Sequence, residues 1–271
     1  MECVTALRRE LSHRNQKSAA SMAIPHELTA GETPSVIFGR HADGLHGNFH
    51  PVSYRNICAN PQWARRLRKV HSASRKPSSA TGWRWMELDC ANSSDALLMN
   101  IFCYCRRLRN PALASLLGVA AGATPEFGFR PRIPLRDGKT DPTEIDMRLG
   151  NLLVEAKLTE TDFQTADRRM IERYRDFDEV FEGTRLMTSA GRISSYQLVR
   201  GALAAHASGS SFCVFCDARR PDLIEQWYCV ISGVRSCLLR CRLMLLTWQE
   251  LAGAVAKPLR DFLAIKYGIV A

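Results

Sequence analysis

The distribution of apolar and polar residues predicts continuous folded structure from about residue 83 onwards. Apolar residues with helical spacing alternate there with short apolar runs that are bounded by Gly, Pro and Asp. The predicted helices cover residues 95–109, 112–120, 164–182 and 194–206, and two more begin near residues 247 and 258. The predicted strands cover residues 127–135, 143–149, 152–158, 213–217, 226–232 and 240–246. This order predicts a mixed α/β fold, in which helices flank a central mixed sheet.

The first 82 residues follow a different pattern. They are rich in Ser, Pro, Gly and Asn and have a weak apolar period, so we predict that residues 1–35 are largely disordered. Residues 61–70, PQWARRLRKV, predict a short basic helix that begins at Pro61. The sequence therefore predicts a basic, partly disordered extension over residues 1–82 and a folded domain over residues 83–271.

The positive charge of the chain is concentrated in that extension. The chain has 271 residues with 37 Lys and Arg against 27 Asp and Glu, a net charge of +10, and residues 1–80 alone contribute +7. A basic segment with an embedded Trp63, which includes Lys69, suits contact with a nucleic-acid backbone. The alternative is a solvated helix that packs Trp63 and Leu67 on a core.

Other features of the composition exclude several classes of protein. A hydrophobic fraction of 46% rules out a wholly disordered chain, and no apolar run reaches the roughly 20 residues that a membrane span needs. The N-terminal residues lack the apolar core of a secretory signal, so we expect reduced cysteines and a cytoplasmic location. Cys213 and Cys216 lie on a predicted strand and point to opposite faces, which favours core thiols over a metal cluster. We find no Gly-rich phosphate loop and expect no use of ATP.

The most informative segment is a predicted β-hairpin. Residues 143–149 and 152–158 are joined by Gly150 and Asn151, a two-residue turn that fixes the register so that Leu149 faces Leu152. Because side chains alternate along a strand, one face of the hairpin is then entirely apolar. The residues on that face are Ile145, Met147, Leu149, Leu152, Val154, Ala156 and Leu158.

The other face of the hairpin gathers charge. In this register Asp146 faces Glu155 and Glu144 faces Lys157, so three carboxylates and one ammonium share a patch two strands wide. Like charges that are directly opposed on neighbouring strands repel each other. We expect Lys157 to offset one carboxylate, preferably Glu144, and a divalent cation to offset the others, because carboxylate oxygens are ligands that Mg²⁺ selects.

This pattern resembles the restriction-endonuclease-like, or PD-(D/E)XK, nuclease superfamily. An Asp on one strand is followed, after a short turn, by Glu-x-Lys on the next, here Glu144-Ile145-Asp146 and Glu155-Ala156-Lys157. The stretches SSDALLMNIF, LLVEAKLTETDF, SYQLVR and CDARRPDL also resemble a group of bacterial restriction endonucleases within it. The resemblance covers roughly residues 85–250, and Ile145 replaces the Pro that precedes the Asp in the family pattern.

The resemblance implies Mg²⁺-dependent hydrolysis of phosphodiester bonds in DNA by a restriction-type endonuclease. Asp146 and Glu155 would hold Mg²⁺, for which Mn²⁺ can substitute, with the backbone carbonyl of Ala156 as a further ligand. Lys157 would orient the attacking water and stabilise the developing negative charge. Glu144 would be an outer ligand or the partner of Lys157.

Residues downstream of the hairpin are candidates for substrate contacts. Similar nucleases carry Gln or Arg on a following helix, which makes Gln197 and Arg200 candidates to contact the phosphate or the attacking water. Arg168 and Arg169 are candidates to face DNA. The alternative for all four residues is a solvated polar helix face.

Two rival functions remain open at this point. The first is a catalytically inactive nucleic-acid-binding module of the same fold, and the second is a metal-free basic binding protein. Many nucleases of the superfamily dimerise to cut both strands, so a homodimer is a further expectation.

Overall fold

A computed structural model describes residues 2–39, 44–71, 84–105 and 107–271, which form two compact units. Unit 1 comprises Met1–Leu116, Ala120–Pro125 and Gln249–Ala271, and unit 2 comprises Leu117–Val119 and Glu126–Trp248. The division into these two units differs from the division at residue 83 that the sequence predicts, and the predicted domain boundary stays a prediction.

Unit 1 is mainly helical in its N-terminal part. Its elements are α1 Glu2–Ser21, β1 His26–Leu28, β2 Val36–Phe38, α2 Pro51–Ala59, α3 Pro61–Ala64, 3₁₀ helices at Arg65–Arg68 and Glu87–Asp89, α4 Ser94–Phe102 and α5 Pro111–Leu117. The β1 and β2 strands form a two-stranded antiparallel sheet. The side chain of Ser93 caps α4 by accepting a hydrogen bond from Ala96 N, although α4 ends well before residue 109.

The N-terminal segment is where the structure departs most from the sequence prediction. The prediction that residues 1–35 are largely disordered was wrong, because α1 is a helix of 20 residues. Its buried residues Val4, Leu7, Leu11 and Ala19 recur with helical spacing, but many polar and basic residues between them hide that stripe.

The basic helix at 61–70 is confirmed as α3 and the 3₁₀ helix that follows it. Trp63 is only 3% exposed, and its Nε1 donates a hydrogen bond to the Pro125 carbonyl at 3.0 Å. Leu67 is buried as well. The apolar side chains of this helix therefore pack inward, as the second interpretation of the segment expected.

Unit 2 contains the central sheet. Its elements are β3 Pro125–Phe129, β4 Ile133–Pro134, β5 Thr140–Asp141, β6 Ile145–Leu149, β7 Leu152–Ala156, β8 Thr165–Asp167, α6 Arg168–Ile171, α7 Phe177–Val180, β9 Thr188–Ser189, β10 Arg192–Ser194, α8 Tyr196–Ser208, β11 Ser211–Cys216, α9 Pro221–Ser232, α10 Cys237–Arg240 and β12 Leu243–Thr247. The chain ends with α11 Trp248–Ala254 and α12 Lys257–Tyr267.

The five-stranded sheet has the order β12-β11-β7-β6-β3. Its β12, β11 and β7 strands are parallel, whereas β7 and β6 are antiparallel, so the predicted mixed sheet is confirmed. The α8 helix packs on β7 and β11. A Cβ at Gly201 would clash with the ring of Phe212, so glycine lets α8 approach the sheet closely and carry its side chains over the hairpin.

Two predicted elements in unit 2 were wrong. Residues 164–182 form β8 and the single turns α6 and α7 rather than one helix. The pairing of β8 with β10 overrides local helix propensity there, and Asp167 caps α6 by accepting a hydrogen bond from Arg169 N.

Residues 226–232 belong to α9 rather than to a strand. Their aromatic and β-branched side chains favour a strand, but Pro221 begins a helix whose buried Leu223, Trp227 and Val230 lie on one face.

Among the residues that the structure describes, none of the helices combines the length and the apolar character needed to cross a membrane.

Candidate active site

The predicted hairpin is present with the predicted register. Met147 pairs with Val154 and Leu149 with Leu152, across a turn in which Gly150 has a φ of 59°. The apolar face is buried as expected; it consists of Ile145, Met147, Leu149, Leu152, Val154, Ala156 and Leu158. The opposite face therefore carries the charged side chains.

Asp146 is the carboxylate contributed by β6. It is half-buried, and its Oδ2 accepts a hydrogen bond from the backbone N–H of Ala156 at 2.7 Å. This bond crosses from one strand of the hairpin to the other and holds the carboxylate beside β7.

Glu155 lies at the centre of a buried polar cluster on β7. Its side chain is only 2% exposed, and Oε1 accepts hydrogen bonds from Lys157 Nζ at 2.8 Å and from Gln197 Nε2 at 2.6 Å. Arg200 Nη2 lies 3.9 Å from Oε2. The hairpin and α8 thus bring together four of the residues that the sequence singled out.

Lys157 is buried and remains charged. Burial lowers its pKa, but the charges of Glu155, Glu160 and Asp146 and the hydrogen bond that Lys157 donates to Glu155 outweigh burial, so the pKa lies above its ordinary value. The indole Nε1 of Trp248 donates to the Lys157 carbonyl at 2.8 Å and holds the backbone at this position.

The partner of Lys157 differs from the one predicted. Lys157 pairs with Glu155, whereas the Glu144 carboxylate pairs with Arg130 at 3.1 Å in a solvent-exposed contact. The prediction that Lys157 would pair with Glu144 was wrong, because Glu155 meets Lys157 inside the buried cluster while the Glu144 carboxylate contacts Arg130 at the surface. Glu144 contributes its backbone carbonyl to the cluster instead, as acceptor from Arg200.

The two α8 side chains lie against the cluster rather than on a fully exposed helix face: Arg200 is buried and Gln197 is half-buried. Arg200 is 3% exposed, and its Nη2 donates to the Glu144 carbonyl at 2.9 Å. Within the part of the chain that the structure describes, Gln197 Oε1 and Arg200 Nε are buried without a hydrogen-bond partner. Both atoms belong to side chains that contact Glu155, so polar capacity remains beside the carboxylates.

A hydrogen-bonded chain that the sequence did not reveal lies next to Arg200. The Tyr174 hydroxyl donates to Asp141 Oδ2 at 2.5 Å and lies 2.8 Å from the Tyr196 hydroxyl. Burial raises the pKa of Asp141, but hydrogen bonds from Thr143 and Tyr174 and the charge of Arg200 lower it below its ordinary value. These hydrogen bonds keep the negatively charged Asp141 near Arg200. No spacing of residues in the sequence predicts this arrangement.

Arg220 is the second feature that sequence reasoning missed. It is fully buried, and its guanidinium donates to the carbonyls of Leu158, Glu160 and Thr161 and to the Asp222 carboxylate. These bonds fix the loop that follows Lys157. An Arg in an RRPD stretch carries no sign of burial, so the sequence offers no means to single it out.

The remaining residues that were predicted to contact nucleic acid lie on the surface of their units. Arg169 is exposed, and Arg168 is exposed beside Glu172 at 2.7 Å. In unit 1, Lys69 pairs with Glu87 at 2.8 Å, and the net effect of its surroundings raises its pKa. Burial lowers the pKa of Lys69, but the hydrogen bond and charge of Glu87 and the charge of Asp95 outweigh it. The contact of these three residues with nucleic acid stays a prediction.

The donor set of the cluster fits Mg²⁺ by its chemistry. Asp146 and Glu155 offer carboxylate oxygens, and Gln197 offers a buried amide oxygen without a hydrogen-bond partner among the described residues. Oxygen donors of this kind suit Mg²⁺, which keeps several waters and needs one or two protein carboxylates. No group of three or more His, Cys, Asp or Glu residues suited to a metal occurs in the described ranges, so a site here depends on two carboxylates with amide or peptide oxygens. Cys213 and Cys216 are both buried in the core.

Comparison with protein families decides the classification. A family model described as "Restriction Endonuclease associating with ARP" matches residues 14–268. The chain belongs to this family. The match confirms the resemblance to restriction endonucleases and agrees with the mixed α/β fold. It covers most of both units of this restriction-endonuclease family member. No curated protein and no solved structure matches the chain.

Proposed function

We propose that the chain is a Mg²⁺-dependent deoxyribonuclease that hydrolyses phosphodiester bonds as a restriction-type endonuclease. The observation that carries this proposal is the buried contact of Lys157 and Gln197 with Glu155, on the same hairpin face as Asp146. Membership of a restriction-endonuclease family supports a nuclease-like function. A buried ammonium–carboxylate cluster is more than a sheet face needs for stability, since apolar residues are often at least as stabilising there.

The proposed roles follow from the contacts of each side chain. Asp146, Glu155 and the Ala156 carbonyl would hold the metal, with Gln197 Oε1 as a further oxygen donor. When bound, Mg²⁺ would neutralise the scissile phosphate and acidify a water molecule. Lys157, which stays protonated, would donate a hydrogen bond to that water or to a phosphate oxygen and stabilise the developing negative charge.

Two residues would hold the cluster in position. Gln197 donates to Glu155 Oε1 and fixes the rotamer of the carboxylate. Arg200 donates to the Glu144 carbonyl and keeps a positive charge beside Glu155. Because Arg200 lies within the proposed nuclease centre, it would contact a phosphate of the DNA only when that phosphate enters the centre.

DNA affinity would come from basic side chains outside the centre. Arg168, Arg169 and Lys69 are candidates, and the overall charge of +10 favours an anionic polymer. The proposal requires no ATP and no membrane. A homodimer would provide one centre for each DNA strand.

Metal dependence is the first test of this proposal. Supercoiled plasmid incubated with the purified chain should be nicked or linearised in Mg²⁺ or Mn²⁺, because the carboxylates need a divalent cation to approach a phosphate. Excess EDTA should abolish cleavage, and added Mg²⁺ should restore it. Retarded plasmid without cleavage in either metal would favour the inactive nucleic-acid-binding module instead.

A further inference from the structure

Unit 1 contains a large pocket that lies outside the proposed nuclease centre. Its volume is about 730 Å³, within the range of pockets that hold small organic ligands. Six apolar side chains line the pocket, and those of Met22, Leu45 and Ile265 are exposed to solvent. We refer to the six together as the apolar wall; they are Met22, Ile24, Leu45, Phe49, Phe262 and Ile265.

The Lys and Arg residues of the pocket give it positive charge. Arg14, Lys17 and Lys266 line it, and no Asp or Glu occurs among its described lining residues. His46 also lines the pocket, with its Nε2 3.1 Å from Asp89 Oδ1. Arg14 is partly neutralised by Glu10 at 2.7 Å, whereas Lys17 is exposed. The lining therefore combines an apolar wall with a net positive charge.

Lys266 is an unusual lining residue because it is a buried lysine. It is 6% exposed; its Nζ donates to Asn15 Oδ1 at 2.7 Å and lies 4.2 Å from the centre of the Phe38 ring. In the described ranges no carboxylate forms an ion pair with this ammonium. Burial lowers its pKa to about 7.

Burying an ammonium without a counter-ion is unfavourable, and an anion brought beside it removes that penalty. An apolar wall of this size also lowers the free energy of a ligand that buries hydrocarbon against it. The two features of the lining therefore select the same ligand chemistry, an organic molecule with an apolar body and one acid group.

We propose that this pocket binds a small amphipathic anion, whose acid group lies beside Lys266 and whose hydrocarbon packs on the apolar wall. Charge complementarity identifies the occupant: a neutral molecule of the same shape would gain the apolar contacts but leave the buried ammonium without a counter-ion. This site is separate in sequence and composition from the hairpin cluster, and it does not depend on the proposed nuclease activity.

Octanoate and octanamide form a matched pair of probes for this proposal, since they differ mainly in the charge of the head group. Isothermal titration of the full-length chain at pH 7 should give a Kd for octanoate that is about tenfold or more below that for octanamide. Equal affinities, or the absence of octanoate binding at millimolar concentration, would overturn the proposal.

Variants locate the binding within the protein. Lys266→Met keeps the length of the side chain and removes the charge, so octanoate affinity should fall about tenfold to the level of octanamide, while octanamide affinity stays unchanged. Lys257→Met is the matched control, because Lys257 lies on the same helix with its charge paired to Asp261 at 2.6 Å, and it should bind octanoate like the parent.

A second variant avoids any change in the buried interior. Ile265 is exposed at the pocket, so Ile265→Glu should fold normally and weaken octanoate binding about tenfold by repelling the carboxylate. Parental octanoate affinity in both Lys266→Met and Ile265→Glu would place any binding elsewhere and refute the proposal.

Discussion

Asp146→Asn and Lys157→Met should each lower the rate of Mg²⁺-dependent DNA cleavage by about 10²–10³-fold. Asp146→Asn keeps a side-chain oxygen that can accept the Ala156 N–H and removes the negative charge that would hold the metal. Lys157→Met removes the ammonium and leaves Gln197 as a donor to Glu155. Initial rates of plasmid nicking, measured at equal protein concentration, provide the comparison.

Two exposed residues of unit 2 supply matched controls. Asp178→Asn and Lys139→Met repeat the same chemical changes at side chains that are 75% and 80% exposed, and both should cleave at the parental rate. DNA affinity without divalent metal should stay within about threefold in all four variants, because surface basic residues supply it separately. Equal cleavage by the parent, Asp146→Asn and Lys157→Met would mean that the nicking comes from a contaminant.

Arg220→Met should destabilise unit 2 by about 3–5 kcal/mol. Arg220 is 0% exposed, and its loss leaves the buried carbonyl of Leu158 and those of Glu160 and Thr161 without their donor. The Asp222 carboxylate also loses its bidentate partner. Urea unfolding followed by the fluorescence of the buried Trp227 and Trp248 measures the effect.

The control for this variant is Arg136→Met, which removes a surface ion pair with Asp178 and should change stability by less than about 1 kcal/mol. Arg220 also lowers the pKa of Asp222 below its usual 3.8 through their hydrogen bond. A lowered carboxyl pKa contributes stability above pH 3.8 that is lost as pH falls through the folded-state pKa. The stability of Arg220→Met should therefore lack that part of its dependence on acid pH. Similar midpoints of urea unfolding for Arg220→Met and Arg136→Met would show that the buried hydrogen bonds do not hold the loop.

The central strands and the charged hairpin face could be predicted because the local sequence determines them. A two-residue turn at Gly150 leaves one register, and strict alternation then assigns every side chain from Ile145 to Leu158 to a face. The buried Ser211–Cys216 strand was likewise predicted closely, since a short apolar run between turns has few alternatives.

The errors in secondary structure come from interactions between distant parts of the chain. Residues 165–167 become a strand only because residues 192–194 lie beside them, a pairing that a local pattern does not contain. The α1 helix was missed because its apolar stripe is narrow among polar residues. The aromatic and β-branched residues of α9 led to the prediction of a strand, because Pro221 and Asp222, which begin the helix, lie outside the apolar run.

The sequence predicted which side chains share the charged hairpin face better than it predicted the contacts between them. Sequence spacing identified Asp146, Glu155 and Lys157, but the rotamers that join Lys157 to Glu155 depend on the burial supplied by α8. Arg220 and Tyr174 act through backbone carbonyls and through a carboxylate far away in sequence, so their spacing carries no motif.

We propose above that Asp146 and Glu155 together bind a divalent cation. Anomalous scattering from a crystal of the full-length chain soaked in Mn²⁺ tests it directly, because Mn²⁺ can replace Mg²⁺ on oxygen ligands and is visible by its own signal. We expect a peak about 2.0–2.3 Å from an oxygen of each carboxylate, and no such peak in Asp146→Asn. A peak that touches neither residue, or the same peak in Asp146→Asn, would contradict it.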